Sequence, residues 1–119
     1  MNEPAAPEQT SVELPEVITR YLGAHDCHDT DAALSTFTQE ARVVDEDREH
    51  HGTREIRRWL ESAGGEYTYT RSYVGATAST RDVWIVHNRL DGDFPGNTVD
   101  LRYRFTLRDG LISELVIAP

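Results

Sequence analysis

An aspartate at the end of a short predicted strand is the strongest candidate for acid–base chemistry in this sequence. The β-branched residues that precede it predict a strand over residues 41–45. Val43 and Asp45 are two positions apart and therefore share one face of that strand. A carboxylate held in apolar surroundings has a raised pKa, and the nearby Glu46 and Asp47 would raise it further. Asp45 is therefore a candidate proton carrier near neutral pH.

A tyrosine on the first predicted helix could supply a matching hydrogen-bond donor. The hydroxyl of Tyr21 could donate to an oxygen that gains charge when a proton leaves the neighbouring carbon. Asp45 and Tyr21 together suit proton abstraction next to a carbonyl, as in isomerisation or aldol-type cyclisation. Two alternatives stay open: Tyr21 could belong only to the core, and Asp45 could bond a backbone group.

The histidines give a weaker pattern. His50 and His51 follow the first strand and could bring an imidazole to the mouth of a cavity, whereas His25 and His28 lie beyond the first helix. A metal site needs three or four converging ligands, which this spacing does not predict. We therefore expect no metal and no cofactor.

Composition excludes several classes of partner. The chain has 119 residues, enough for one domain, and a formal net charge of −9, which repels phosphate backbones and anionic membranes. No apolar run approaches the roughly 20 residues needed to span a bilayer. The acidic N-terminus lacks the features of a signal peptide, so we predict a cytoplasmic protein without nucleic-acid or membrane partners.

The elements that must position these residues begin after a polar, proline-containing segment, residues 1–12, which we predict to be a flexible tail before a single domain over 13–119. An apolar stripe with helical spacing predicts a first helix that ends near residues 24–26; its members are Leu14, Val17, Ile18, Tyr21 and Leu22. Asp29 or Thr30 can cap a second helix; its inward positions are Ala33, Leu34 and Phe37.

A third helix and four strands complete the pattern. We expect the polar residues 48–52 to turn, and Thr53 to cap a helix that ends at Gly64–Gly65; its apolar positions are Ile56, Trp59, Leu60 and Ala63. Alternation then predicts strands over Glu66–Ala78, Val83–Leu90, Thr98–Leu107 and Leu111–Ile117. Their short connections favour antiparallel pairing. We therefore predict an α+β fold, in which three helices cover a curved antiparallel sheet to form a cone.

This order of elements resembles the nuclear-transport-factor-2-like superfamily, and in detail its SnoaL-like members. The resemblance runs from about residue 14 to the C-terminus and rests on these stretches: Ile18–Tyr21, Ala33–Leu34 with Phe37, Ala41–Asp45, His51–Leu60, Asp93–Gly96 and Val99–Phe105. It implies the cone fold specifically. It does not single out one activity, because the fold hosts isomerases, cyclases, dehydratases, epoxide hydrolases and proteins without chemistry.

The ketosteroid isomerase branch of this superfamily allows a comparison residue by residue. Its catalytic tyrosine falls on Tyr21 and its general-base aspartate on Asp45. Its second oxyanion-binding acid would fall on Leu101, which cannot donate a hydrogen bond, and the adjacent Asp100 points to the other side of the strand. The resemblance therefore implies an acid–base pair that lacks one of the family's donors.

The same comparison implies which side chains face the cavity and which face outward. The predicted pocket residues are Val43, Trp59, Trp84, Val86, Asn88, Leu101, Tyr103 and Phe105, with Asn88 as a substrate-orienting amide. We expect His87 on the outer face, and we leave open whether Glu114 points inward. Epoxide hydrolases of the superfamily use an Asp-Arg-Asp set, but a matching second aspartate is not evident here. We therefore expect Asp100, Arg102 and Arg104 to form a salt-bridged outer face or a dimer rim.

These observations predict a small-molecule-binding protein. The first hypothesis is a cofactor-free isomerase or cyclase that acts on a small hydrophobic carbonyl compound, with Asp45 as base and Tyr21 as donor. The alternative is a non-catalytic ligand-binding or scaffold module of the same fold. A homodimer through the outer face of the sheet is compatible with either hypothesis.

Overall fold

A computed structural model describes residues 13–63 and 69–119 of the chain. The helices are α1 (Glu16–Asp26), α2 (Thr30–Leu34) and α3 (Gly52–Ala63). The strands are β1 (Phe37–Asp45), β2 (Arg48–His51), β3 (Tyr69–Ala78), β4 (Val83–Gly92), β5 (Thr98–Arg108) and β6 (Leu111–Ala118). The predicted tail and the predicted stop at Gly64–Gly65 lie outside the described residues.

The first helix forms as its apolar spacing predicts. Val17, Ile18, Tyr21 and Leu22 are all buried, and they make one continuous stripe on α1. The second helix is short, and the side chain of Asp29 caps it by accepting a hydrogen bond from the backbone N–H of Ala32 (3.1 Å). The first helix therefore turns its apolar stripe toward the sheet, and the second helix packs against α1 and α3.

The six strands form one curved sheet in the order β2-β1-β6-β5-β4-β3. The predicted α+β class with three helices against this sheet is confirmed. All neighbouring strands are antiparallel except β1 and β6, which run parallel. The tight connection at Asp109–Gly110 has positive φ at both residues, 55° and 80°, as a two-residue hairpin with right-handed strand twist requires.

Two local predictions were wrong, both around β1. Residues 48–51 form the edge strand β2 instead of a turn, and the chain turns earlier, at Glu46 and Asp47, where φ is 54° and 62°. The edge strand carries no apolar alternation, because little of it is buried, so its sequence resembles a loop. Phe37 lies at the start of β1 instead of on the second helix, although it is buried as predicted.

The hydrophobic core lies between the helices and the inner face of the sheet, where α1 packs on β6 and α3 on β1. Its strand residues include Val43, Val86, Phe105 and Leu115, each completely buried. None of the helices in the described parts of the chain is long and apolar enough to cross a membrane.

Candidate functional site

The strand register brings the predicted pocket residues onto the inner face in parallel rows. One row runs across four strands through Asp45, Ile117, Tyr103 and Val86, which are successive cross-strand partners. A second row contains Val43, Leu115, Phe105 and Trp84, and a third pairs Leu101 with Asn88. Because rows two residues apart lie roughly 7 Å from each other along a strand, these side chains form one continuous inner wall.

Asp45 lies at one end of its row and is held by a tryptophan. The indole Nε1–H of Trp59, on α3, donates to Asp45 Oδ2 at 3.0 Å. Trp59 itself is buried, and Asp45 is partly buried. This single bond orients the carboxylate, and among the described residues no hydrogen bond to Asp45 Oδ1 is found. Trp59 was predicted to line the pocket, and the structure places its indole beside Asp45, the candidate base.

Tyr21 is completely buried, but its hydroxyl has no hydrogen-bond partner within the described residues. Its ring is packed edge-on against Phe37 and Phe105, with centroid distances of 5.5 and 5.7 Å, and it stacks on His25 at 5.8 Å. Burial raises the pKa of Tyr21 well above the ordinary tyrosine value, and the nearby phenols and the charge of Asp45 act in the same direction. The hydroxyl therefore stays a neutral donor.

Asn88 on β4 is 1% exposed, and its amide is held from one side only. Arg71 on β3 donates from its Nη1 to Asn88 Oδ1 at 2.8 Å, whereas Asn88 Nδ2 has no partner in the described part of the chain. Arg71 in turn makes a two-bond ion pair with Asp26, at the end of α1, with distances of 2.9 and 2.7 Å. A third buried donor, Trp84 Nε1, is likewise unpartnered among these residues.

A second polar contact joins the end of α1 to β3. His25 Nε2 and the Tyr69 hydroxyl are 2.9 Å apart. Burial lowers the pKa of His25 below its ordinary value of 6.5, and burial raises the pKa of Tyr69 and that of Tyr103. The charge of Asp45 raises the pKa of all three groups, so it opposes the effect of burial on His25 and adds to it on Tyr69 and Tyr103. These groups therefore share one electrostatic environment with the candidate base.

The outer face of the sheet carries several other ion pairs. Asp100 bonds Arg89 at 2.8 Å on this face, while Leu101 lies on the inner face, as the alternation predicts. Glu114 accepts hydrogen bonds from Arg42 and Arg104, so it belongs to the outer face and takes no part in the inner wall.

The other histidines divide between the two faces of the sheet. His50 is the cross-strand partner of Val43, so it lies on the inner face, with its ring 6.0 Å from that of Trp59. His87 pairs with Arg102 on the outer face. Exposed His51 donates its backbone N–H to Glu55 at the start of α3. Within residues 13–63 and 69–119, no three His, Cys, Asp or Glu side chains group as metal ligands would.

A shallow hollow lies at the surface near the end of α1. It has a cavity volume of about 10 Å³ and is lined by Ala24, His25, His28, Asp29, Thr30, Ala33 and Leu60. Its lining includes none of the residues predicted for the catalytic pair or the pocket.

Sequence reasoning missed Arg71 and Asp26. Arg71 occupies an alternating strand in which a charged residue resembles a solvated position, yet its side chain is only 10% exposed. The available signal was Asn88, a polar side chain predicted to face an apolar interior, because such a group requires a polar partner.

Comparison with known proteins agrees with this architecture. A model of the SnoaL-like domain family matches residues 18–115 of the chain. No curated protein matches the chain.

Among solved structures, a protein from Sinorhizobium meliloti proposed to be a polyketide cyclase is similar at 37% identity and a TM-score of 0.85, over 91% of this chain and 98% of its own. A Catenulispora acidiphila protein with a ketosteroid isomerase-like fold, solved with trimethylamine, is 16% identical with a TM-score of 0.78, covering 90% and 87% of the two chains. A Mycobacterium tuberculosis protein solved with estradiol-17β-hemisuccinate is 12% identical with a TM-score of 0.73, covering 87% and 91%.

Proposed function

Because the chain belongs to the SnoaL-like domain family, we propose that it binds a small hydrophobic carbonyl compound at its inner wall and catalyses a cofactor-free acid–base reaction there, an isomerisation or a cyclisation. Asp45 is the base and Tyr21 the donor to the carbonyl oxygen. The similarity to a protein proposed to be a polyketide cyclase supports the class of reaction, and the steroid ester held by the M. tuberculosis protein supports the class of ligand.

The observation that carries this proposal is a pair of unpartnered donors in the mainly apolar interior between α1 and the inner face of the sheet. The Tyr21 hydroxyl and Asn88 Nδ2 are buried without partners in the described residues. Leaving one buried donor unsatisfied costs roughly 1–3 kcal/mol, so native proteins seldom retain several in one place without a use for them. A ligand oxygen that accepts from them recovers this energy, whereas a purely hydrocarbon ligand does not.

The reaction begins with transfer of a proton from the carbon next to the carbonyl to Asp45. The electrons of that C–H bond form a carbon–carbon double bond, and the carbonyl π electrons move to the oxygen, which becomes an enolate. Tyr21 donates to this oxygen and stabilises its charge. In an isomerisation, Asp45 returns the proton to a different carbon. In a cyclisation, the enolate carbon attacks a second carbonyl and Asp45 protonates the new alkoxide.

Exchange of the α-protons of 2-tetralone in D₂O tests the first step without knowledge of the natural substrate. This planar ketone should exchange faster in the presence of the protein, as followed by NMR. Asp45→Asn should lower the enzymatic rate by about 10²–10⁴-fold, the usual contribution of a general base. The variant should keep the fold and the increase in melting temperature that a bound ketone produces.

A matched control is available on the other side of the sheet. Asp100→Asn removes an exposed carboxylate from the outer face, where Asp100 pairs with Arg89, and should leave the exchange rate unchanged. If the α-protons of the ketone exchange as fast with the Asp45→Asn variant as with the unchanged protein, Asp45 is not the base. Binding of 2-tetralone without accelerated exchange would instead favour the non-catalytic ligand-binding module.

We further propose that two copies associate through the outer face of the sheet. Val44 and Val116 are cross-strand partners on that face, and Ile85 follows in the same row beyond Arg104. The three apolar side chains are each only partly buried within a single chain. Ion pairs such as Arg89–Asp100 flank the row. Arginine is enriched in protein interfaces, so its presence among these apolar side chains suits an interface.

A further inference from the structure

We propose that Arg71, anchored by Asp26, fixes the amide of Asn88 so that its Nδ2 acts as a second hydrogen-bond donor to the carbonyl oxygen of the ligand. Arg71 and Asp26 are then positioning residues for the inner wall. The inference rests on the proposed function, because it names the group that completes oxygen recognition at the same site.

The orientation of the amide follows from the chemistry of arginine. A guanidinium group only donates hydrogen bonds, so the amide atom that faces Arg71 Nη1 at 2.8 Å must be the oxygen of Asn88. The NH₂ group must then point away from Arg71. It is buried and has no partner among the residues described. Asn88 therefore presents two N–H donors toward the interior.

Arg71 is itself fixed on its other side. Its Nε and Nη2 donate to the two carboxylate oxygens of Asp26 at 2.9 and 2.7 Å, a paired arrangement that sets the plane of the guanidinium group. The side chain of Arg71 is 10% exposed, so these bonds are partly shielded from water. The end of α1 thereby controls the direction of an amide on β4.

The position of Asn88 is appropriate for a second donor. Asn88 and Leu101 are direct cross-strand partners, so their Cβ atoms lie about 5 Å apart on the same face. The side chain of Leu101 has no hydrogen-bond donor, whereas the amide of Asn88 supplies one at the neighbouring position. The ring of Tyr21 stacks on that of His25, which directly precedes Asp26, the residue that anchors Arg71. The two donors are therefore connected through the C-terminal turn of α1.

A pair of probes isolates recognition of the oxygen. 2-Tetralone and its exocyclic-methylene analogue have nearly the same shape, but only the ketone accepts a hydrogen bond. Calorimetry or thermal shift should show that the protein prefers the ketone by about fivefold to tenfold, the usual net worth of one or two hydrogen bonds. Asn88→Leu and Arg71→Leu should each reduce this preference at least threefold, with a smaller effect on the methylene analogue.

A double variant tests whether Arg71 acts through Asn88. In the Asn88→Leu background, adding Arg71→Leu should not change the preference further, since the amide it orients is absent. Arg89→Leu is the matched control, because Arg89 also pairs with an aspartate, but on the outer face. It should leave the preference unchanged.

A measurement without ligand tests the positioning of the Asn88 amide separately from the proposed function. The side-chain amide protons of Asn88 should give sharp NMR signals with slowed solvent exchange, and Arg71→Leu should broaden them or speed their exchange at least tenfold. Unchanged signals in that variant, or a ketone preference that survives it, would overturn the positioning role. Altered signals together with equal affinity for the two probes would overturn the assignment of Asn88 as a ligand donor, whether or not Asp45 proves to be a base.

Discussion

Replacing Tyr21 by phenylalanine should stabilise the protein while weakening its recognition of carbonyl compounds. The substitution keeps the ring and its contacts with Phe37, Phe105 and His25. It removes only a hydroxyl that is fully buried and has no partner in the described residues. Stability and function are thus expected to change in opposite directions at this position, as is common at binding sites.

The expected gain can be worked out from the burial. An unsatisfied buried hydroxyl costs roughly 1–3 kcal/mol, and the lost van der Waals contacts of one oxygen offset a few tenths of this. We therefore expect the free energy of unfolding to rise by about 1 kcal/mol. With a urea m-value of about 1.5 kcal/mol/M for a domain of this size, the unfolding midpoint should rise by about 0.7 M.

Tyr69→Phe makes the same chemical change where the hydroxyl does have a partner. The Tyr69 hydroxyl lies 2.9 Å from His25 Nε2, so its removal leaves a buried imidazole nitrogen unpaired. The midpoint should then fall by about 0.7 M. Urea unfolding followed by circular dichroism measures both variants. A Tyr21→Phe variant that loses 1 kcal/mol or more would mean that its hydroxyl is satisfied, and the argument for an oxygen-binding wall would fail.

Three other expectations concern pH, the base and association. Because burial lowers the folded-state pKa of His25 below 6.5, stability should fall as the pH drops below about 6.5, and His25→Phe should flatten that slope in urea titrations at several pH values. Trp59→Phe removes the donor to Asp45 and should slow α-proton exchange about tenfold while the ketone still binds; an unchanged rate would dismiss the orienting role of the indole. Ile85→Arg should convert a dimer into a monomer in light scattering, whereas a mass that stays constant would exclude this face as the interface.

Local patterns in the sequence determined the elements and the two faces of the sheet. Helical spacing marked the buried stripe of α1, and alternation along β5 separated Tyr103 and Phe105 from Arg102 and Arg104. The reason is that burial on one side spaces the apolar residues with a period of 3.6 in a helix and 2 in a strand. This spacing can be recognised without knowing which other elements pack against the helix or strand. The turn at Asp109–Gly110 was predictable for a similar reason, since its backbone conformation depends on those two residues.

Tertiary structure alone decided which polar groups meet. Asp26 and Arg71 are 45 residues apart, and their ion pair depends on where the end of α1 comes to lie over β3. The parallel pairing of β1 with β6 likewise joins segments distant in the chain, and it places Asp45 at the end of its row. No local period encodes such contacts, because they follow from how the helices and the curved sheet pack together.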